Sequence, residues 1–342
     1  PLVDPWLQPK PGGEGATSSF RHPQIEPVGA VSKPSLTPIL VTGSHRSGTT
    51  WVGHMLCVSG DAGYIHEPFS LSYVPGWGAG RFPHWFQYVC RENEADFVRA
   101  IEDVLAFQYP LRSQLREVRR PKSAARLVRD WVHAARHRAT GVRPLMKDPI
   151  AVFSTEWLAS RFDARPVVMI RHPAGFVGSV LELGFTFDFG QWTSQPLLMR
   201  DLLAGYEAQI NEYAIVPAAP IDQAILLWNA IYGVVADFQA AHADWIFVRH
   251  EDLAVDPSAG FEHLYAGLGL RWDDATRARI QDYSSSQAGS MHLSWNEPAI
   301  VKRQSKGVIK TWQQRLTRAE VAKVRAAVEP TSSRFYGDED WD

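Results

Sequence analysis

The residues best suited to chemistry cluster in one stretch, Gly43-Ser44-His45-Arg46-Ser47-Gly48-Thr49-Thr50. The apolar run PILV leads into it and a stretch with helical apolar spacing follows, so the loop joins a strand end to a helix start. Amide hydrogens and the helix dipole converge at such a junction, which makes it an anion cradle. A nucleotide kinase would carry Gly-x4-Gly-Lys-Ser/Thr. Here Thr49 stands at the lysine position and the basic residue, Arg46, lies inside the loop. A second apolar run, 167–170, ends in Arg171 where an ATPase would place an acidic magnesium holder. A phosphate-bearing donor held without metal fits these residues better. The segment RHPAGFVGS also sets Ser179 eight positions after Arg171, a strand-end guanidinium and a helix hydroxyl that can converge on one phosphate.

These groups need a scaffold that lines them up. Strand–loop–helix units start near residues 38 and 165, a third apolar run covers 245–248, and helices are predicted over 94–108, 124–138, 222–241 and 257–267. Short buried strands alternating with helices imply an α/β fold with a central parallel sheet covered on both faces. Residues 1–38 hold eight prolines and little periodicity, so 1–37 read as an extended arm and 38–342 as one domain with insertions around 71–145 and 184–220.

Of 342 residues, 45% are hydrophobic and 21% charged, with 35 Lys+Arg against 37 Asp+Glu. That balance supplies a core and gives no global basic field for nucleic acid. Cys57 and Cys90 are too few for a disulfide framework, and no metal-ligand cluster is legible. No apolar stretch reaches the ~18 charge-free residues of a membrane span. The expectation is a soluble, cytoplasmic protein without a metal.

The loop SHRSGTTWV resembles the 5′-phosphosulfate loop of sulfotransferases that use 3′-phosphoadenosine 5′-phosphosulfate (PAPS). The resemblance implies a P-loop-like three-layer α/β/α fold and transfer of a sulfuryl group to a hydroxyl. It assigns His45, Arg46, Ser47, Gly48, Thr49 and Thr50 to the 5′-phosphate, Arg171 and Ser179 to the 3′-phosphate, and Trp51 to the adenine. Lys306-Gly307-x4-Trp312 is similar to the segment that closes over the 3′-phosphate, with Ser305 where the family usually has arginine and Lys302 and Arg303 upstream. In VRHEDL, His250 replaces a tyrosine that lies near the adenine. Lys147, in LMKDP, would reach the bridging oxygen, and Pro149 stands where cytosolic members carry the catalytic histidine. Glu67, in YIHEPF, is then the expected base, as in carbohydrate and tyrosyl-protein sulfotransferases. His66 is a reserve base, and Asp148 is expected to orient Lys147 as an ion-pair partner.

On the acceptor side, the aromatic segments 71–90 and 184–192 are candidates to line a pocket. Residues 112–143 hold ten basic residues against Glu117 and Asp130, a local net of +8 that could meet an anionic acceptor or membrane surface. Leu127, Val128, Trp131, Val132 and Ala135 read as the core-facing stripe of a helix whose arginines coat its outer side. The acidic tail GDEDWD reads as a solvated end. The expected acceptor is a saccharide, glycolipid or glycosylated metabolite, with a phenolic or alcoholic natural product as the alternative. A P-loop kinase or a non-catalytic nucleotide-binding module is the more distant reading.

Overall fold

The computed structural model describes residues 37–71, 76–77, 81–115, 118, 121–285 and 309–342. Five strands, β1 (Ile39–Gly43), β2 (Ala62–His66), β3 (Arg143–Lys147), β4 (Arg165–Ile170) and β5 (Ile246–Arg249), form one sheet in the order β2-β3-β1-β4-β5. Every pairing is parallel, so each crossover carries helices and both sheet faces are covered. Alternate residues feed different cores. Leu40, Ile65, Met146 and Val168 pack with the helices Pro173–Glu182 and Pro220–Ala241, whereas Ile39, Val41, Leu145 and Val167 pack with Thr49–Met55 and Pro257–Leu268. This is the expected α/β architecture, helices on both faces of a parallel sheet.

The register brings the carboxyl ends of the strands level. Lys147 pairs with both Val41 and His66, Gly43 with Met169, and Ile170 with Arg249. The chain leaves central β1 toward β2 on one side and later β4 on the other, so the strand order reverses beside β1, where open α/β sheets bind ligands.

Several expectations need correction. The predicted helix 94–108 is a 3-10 turn, Glu94–Asp96, followed by Val98–Leu105. Strands β2 and β3 went unread because AGYIH and RPLMK carry glycine, proline and polar ends instead of an apolar run. The rings of the acceptor-side segments largely fill core: Phe82, Phe86, Phe187, Phe189 and Trp192 are buried, and Phe82 stacks on Phe69 at 4.0 Å. Large rings there supply the volume that covers one sheet face. The helix Pro121–Thr140 turns the opposite way to the expected stripe. It buries Leu127, Asp130, Ala134 and His137 to different degrees, leaving Val128, Trp131 and Val132 exposed, because His137 seats against Gly63 of β2. The acidic tail is docked: Trp341 packs on His172 at 4.5 Å and Asp340 pairs with Arg249. Finally, Pro220–Ala241 is long and apolar enough to cross a membrane, yet most of it is buried inside the protein.

Candidate active site

The loop after β1 is shaped by left-handed backbone. Arg46 has φ 67° and Gly48 has φ 92°, which turns successive amides inward as an anion-binding nest. Glycine is required at two points. At Gly43 a Cβ would lie 2.4 Å from the Met169 carbonyl oxygen, and at Gly48 2.4 Å from His250 Nδ1. The loop is braced from within by Ser47 Oγ donating to the Ser44 carbonyl at 2.6 Å. Beneath it, the Tyr232 hydroxyl meets Ser44 Oγ at 2.8 Å and accepts from the Arg171 amide at 3.1 Å, so one buried phenol ties the β1 loop to the end of β4.

Arg46 Nε donates to Ser179 Oγ at 2.9 Å, joining the loop to the helix Pro173–Glu182. Arg171 lies along the same helix: a Cβ on Gly175, one turn before Ser179, would stand 3.1 Å from its Nε. Arg171 is 5% exposed, and its Nε has no hydrogen-bond partner among the described residues. Glu251 Oε1 is 3.5 Å away, but that carboxylate is already engaged by the His172 amide at 3.1 Å and the Tyr336 hydroxyl at 2.9 Å. A buried guanidinium with an unsatisfied donor is suited to an anionic ligand.

His250 sits over Gly48 with both ring nitrogens unpartnered among the described residues. Burial, reinforced by the Arg171 charge, drives its pKa well below the usual histidine value, so the ring is neutral. Trp51 meets it edge-on at 6.0 Å and packs on Phe261 at 5.2 Å, leaving an aromatic corner at the base of the helix Thr49–Met55. Thr49 is buried and Thr50 exposed at the start of that helix. His45 turns the other way, among Phe86, Phe176 and Phe185, and burial lowers its pKa to about 4.

At the ends of β2 and β3, Lys147 Nζ donates to Glu67 Oε1. The lysine side chain is fully buried while the glutamate is 17% exposed. Burial lowers the lysine pKa against the opposing pull of Glu67. Glu67 has φ 41°, and its amide donates to the Lys147 carbonyl at 2.9 Å, so a strained turn aims the carboxylate back over β3. His66, beside it, contacts the Tyr64 hydroxyl at 3.1 Å and is held neutral by burial and the Lys147 charge. Asp148 does not pair with Lys147. Its carboxylate accepts from the Phe69 amide at 2.7 Å and the Ile150 amide at 3.2 Å, and burial raises its pKa to about 8. It is a backbone clamp that fixes the turns on either side of the pair.

Arg46, Ser47, Gly48, Ser179, Arg171 and His250 thus meet around the β1 loop, with Glu67 and Lys147 on the neighbouring strand ends. Lys306 and Gly307, with Lys302, Arg303 and Ser305, lie outside the described residues. Trp312 is described, buried and stacked on His172. Sequence reasoning missed Tyr232 and Glu251. Tyr232 looks like one more ring in an apolar helix, whereas Glu251 stands in the quoted VRHEDL segment and was within reach.

No curated protein matches the chain. Among solved structures, a sulfotransferase domain from the curacin biosynthetic pathway is 13% identical, with 86% of this chain and 98% of that one covered at TM-score 0.43. The sulfotransferase STF1 of Mycobacterium tuberculosis H37Rv is 21% identical, covering 86% and 77% at TM-score 0.38. Mouse sulfotransferase SULT7A1, solved with PAP, is 12% identical, covering 90% of each chain at TM-score 0.38. A sulfotransferase family model matches residues 38–274, well over half of the sequence and all five strands, and the chain belongs to the sulfotransferase family.

Proposed function

We propose that the protein transfers a sulfuryl group from PAPS to an acceptor hydroxyl. The observation that carries this reading is the pairing of buried Lys147 with part-exposed Glu67, set on strand ends level with a left-handed anion loop. The residues present suit the donor. The Arg171 Nε, which has no hydrogen-bond partner among the described residues, and the inward loop amides favour a nucleotide bearing two separate phosphate groups.

Arg46 with the amides of Ser47 to Thr50 would hold the 5′-phosphate, and Arg171 with Ser179 the 3′-phosphate. Trp51 and His250 would flank the base, and Lys306 and Gly307 are proposed to close the 3′ side. Bound PAPS supplies the sulfuryl group and a bridging phosphate oxygen on which charge develops. Glu67 Oε1 is committed to Lys147, while Oε2 has no hydrogen-bond partner among the described residues and faces the task of taking the acceptor proton. Once Oε2 holds that proton, the Coulomb attraction on Lys147 falls and its ammonium hydrogens become available to the developing negative charge. The base and the electrophile therefore work as one unit.

A saccharide-type acceptor, free or on a lipid or metabolite, is the preferred class, since a glutamate base replaces the histidine of cytosolic members. The test is transfer of labelled sulfate from PAPS to a panel of sugars, glycolipids and phenols, in chelator, with Glu67→Ala as control. Transfer to a hydroxyl acceptor that is lost in the variant supports the proposal. Label transfer from ATP with magnesium, and none from PAPS, would overturn it.

A further inference from the structure

The helix Pro121–Thr140 has its polarity inverted. Its sheet-facing side carries Leu127, Asp130, Ala134 and His137, and the opposite side carries exposed Ala125, Val128, Trp131, Val132 and Ala139 with half-buried Ala135 among them. Val128, Trp131 and Val132 are 44–49% exposed, unlike the inner Leu127 at 3%. At ~100° per residue the outer six form one continuous strip, about 21 Å long at ~1.5 Å rise. Arg129 and Arg136 border the strip on one side and Arg138 on the other. The helix has a single acid, Asp130, which is turned inward and bonded to Arg129 at 2.7 Å. The solvent side is therefore apolar at its centre, cationic at its rims and free of acid.

We propose that this face docks the protein on a bilayer of anionic phospholipid, the strip entering the headgroup boundary and the arginines meeting lipid phosphates. A second copy of the chain fits less well. A two-fold contact centred on the strip would set arginine rims against each other with no exposed acid on the helix to pair them. A strip ~21 Å by ~10 Å also offers about 200 Å² per copy, far below the ~600 Å² or more per partner of a stable interface. The inference stands on the helix alone and does not require the donor reading. It does place the bilayer on the flank of β2, the strand that leads into Glu67, since His137 seats the helix against Gly63.

The experiment is flotation of the full chain with vesicles of phosphatidylcholine alone and of phosphatidylcholine doped with phosphatidylglycerol, at low and high salt. The wild type should float with the doped vesicles, weaken with salt, and remain largely free of the neutral ones. Val128→Ser/Trp131→Ser/Val132→Ser should lower partitioning by more than about tenfold while leaving the circular dichroism spectrum and melting curve unchanged, because these side chains are exposed. Arg136→Glu/Arg138→Glu should remove most of the salt dependence. Wild-type protein that ignores doped vesicles, or a triple variant that binds like wild type, overturns the proposal. So does self-association in sedimentation that the triple variant abolishes, which would assign the face to a second copy.

Discussion

Replacing Glu67 by glutamine tests the reaction centre at one atom. The amide keeps the volume of the side chain and an oxygen that accepts from Lys147 Nζ, while removing the charge and the basic Oε2. Loss of a positioned general base costs typically 10²–10⁴-fold in rate, or about 3–5 kcal/mol of transition-state stabilisation. The ground-state cost is smaller. Stripping one partner from a buried ion pair costs ~3–5 kcal/mol when the other charge stays. Here the glutamine oxygen still accepts from the Lys147 ammonium, so only part of that cost applies and about 1–3 kcal/mol of stability is expected to be lost. The assay is steady-state transfer at saturating donor, paired with calorimetric binding of 3′-phosphoadenosine 5′-phosphate and a melting curve. The expected result is a fall in kcat of at least about 100-fold, donor-product affinity within threefold of wild type and a melting point a few degrees lower. A kcat within threefold of wild type would refute the assignment of Glu67 as base, and His66 would be the next residue to replace.

Arg171→Ala should weaken binding of the bisphosphate by roughly 10–100-fold while barely changing that of AMP, because the residue is proposed to read the 3′-phosphate; equal losses for both ligands would contradict this. Gly48→Ala forces a Cβ into His250 at a φ of 92°, so donor-product binding should fall by at least about tenfold in calorimetry. Tyr232→Phe removes the hydroxyl that bridges Ser44 and Arg171 and should cost about 1–3 kcal/mol of stability in denaturant titration. Acid should destabilise the fold early. His45, His54, His66, His137, His172 and His250 all have pKa values depressed mainly by burial, so below about pH 6.5 the unfolded chain takes up protons that the folded one refuses. Each contributes a loss of up to about 1.4 kcal/mol per pH unit. Asp148, raised to about 8, acts in the opposite sense and offsets one of them. Stability measured in denaturant should therefore fall steadily from pH 6.5 toward 5, and a flat profile there would contradict the neutral, buried histidines.

What the sequence disclosed depended on how local the determinant was. The β1 loop was legible because its glycine and hydroxyl spacing is itself the geometry: Gly43 and Gly48 occupy the two points where a Cβ collides. The long helices were legible from periodicity, and Arg171 and Ser179 from their fixed spacing. Lys147 and Glu67 were named through family resemblance, but their direct bond arises only when β2 and β3 pair in register, 80 residues apart in the chain. Asp148 was misread for the same reason. Its bond to the Phe69 amide, 79 residues away, is announced by no side-chain pattern, whereas the bond to the Ile150 amide is the local cap of an Asp-Pro turn and was within reach. The inverted helix misled because its apolar side is the exposed one, a choice set by Gly63 receiving His137. The tail misled because three aspartates and a glutamate outvote the single Trp341 that anchors it.

The central claim is a pocket for two separate phosphates on one adenosine, and calorimetric binding of 3′-phosphoadenosine 5′-phosphate against ADP, in chelator without magnesium, tests it most directly. The account predicts tight binding of the former and weak binding of the latter. Equal binding of the two, or ADP binding that appears only when magnesium is restored, would contradict the roles of Arg171 and Ser179 and with them the proposed donor.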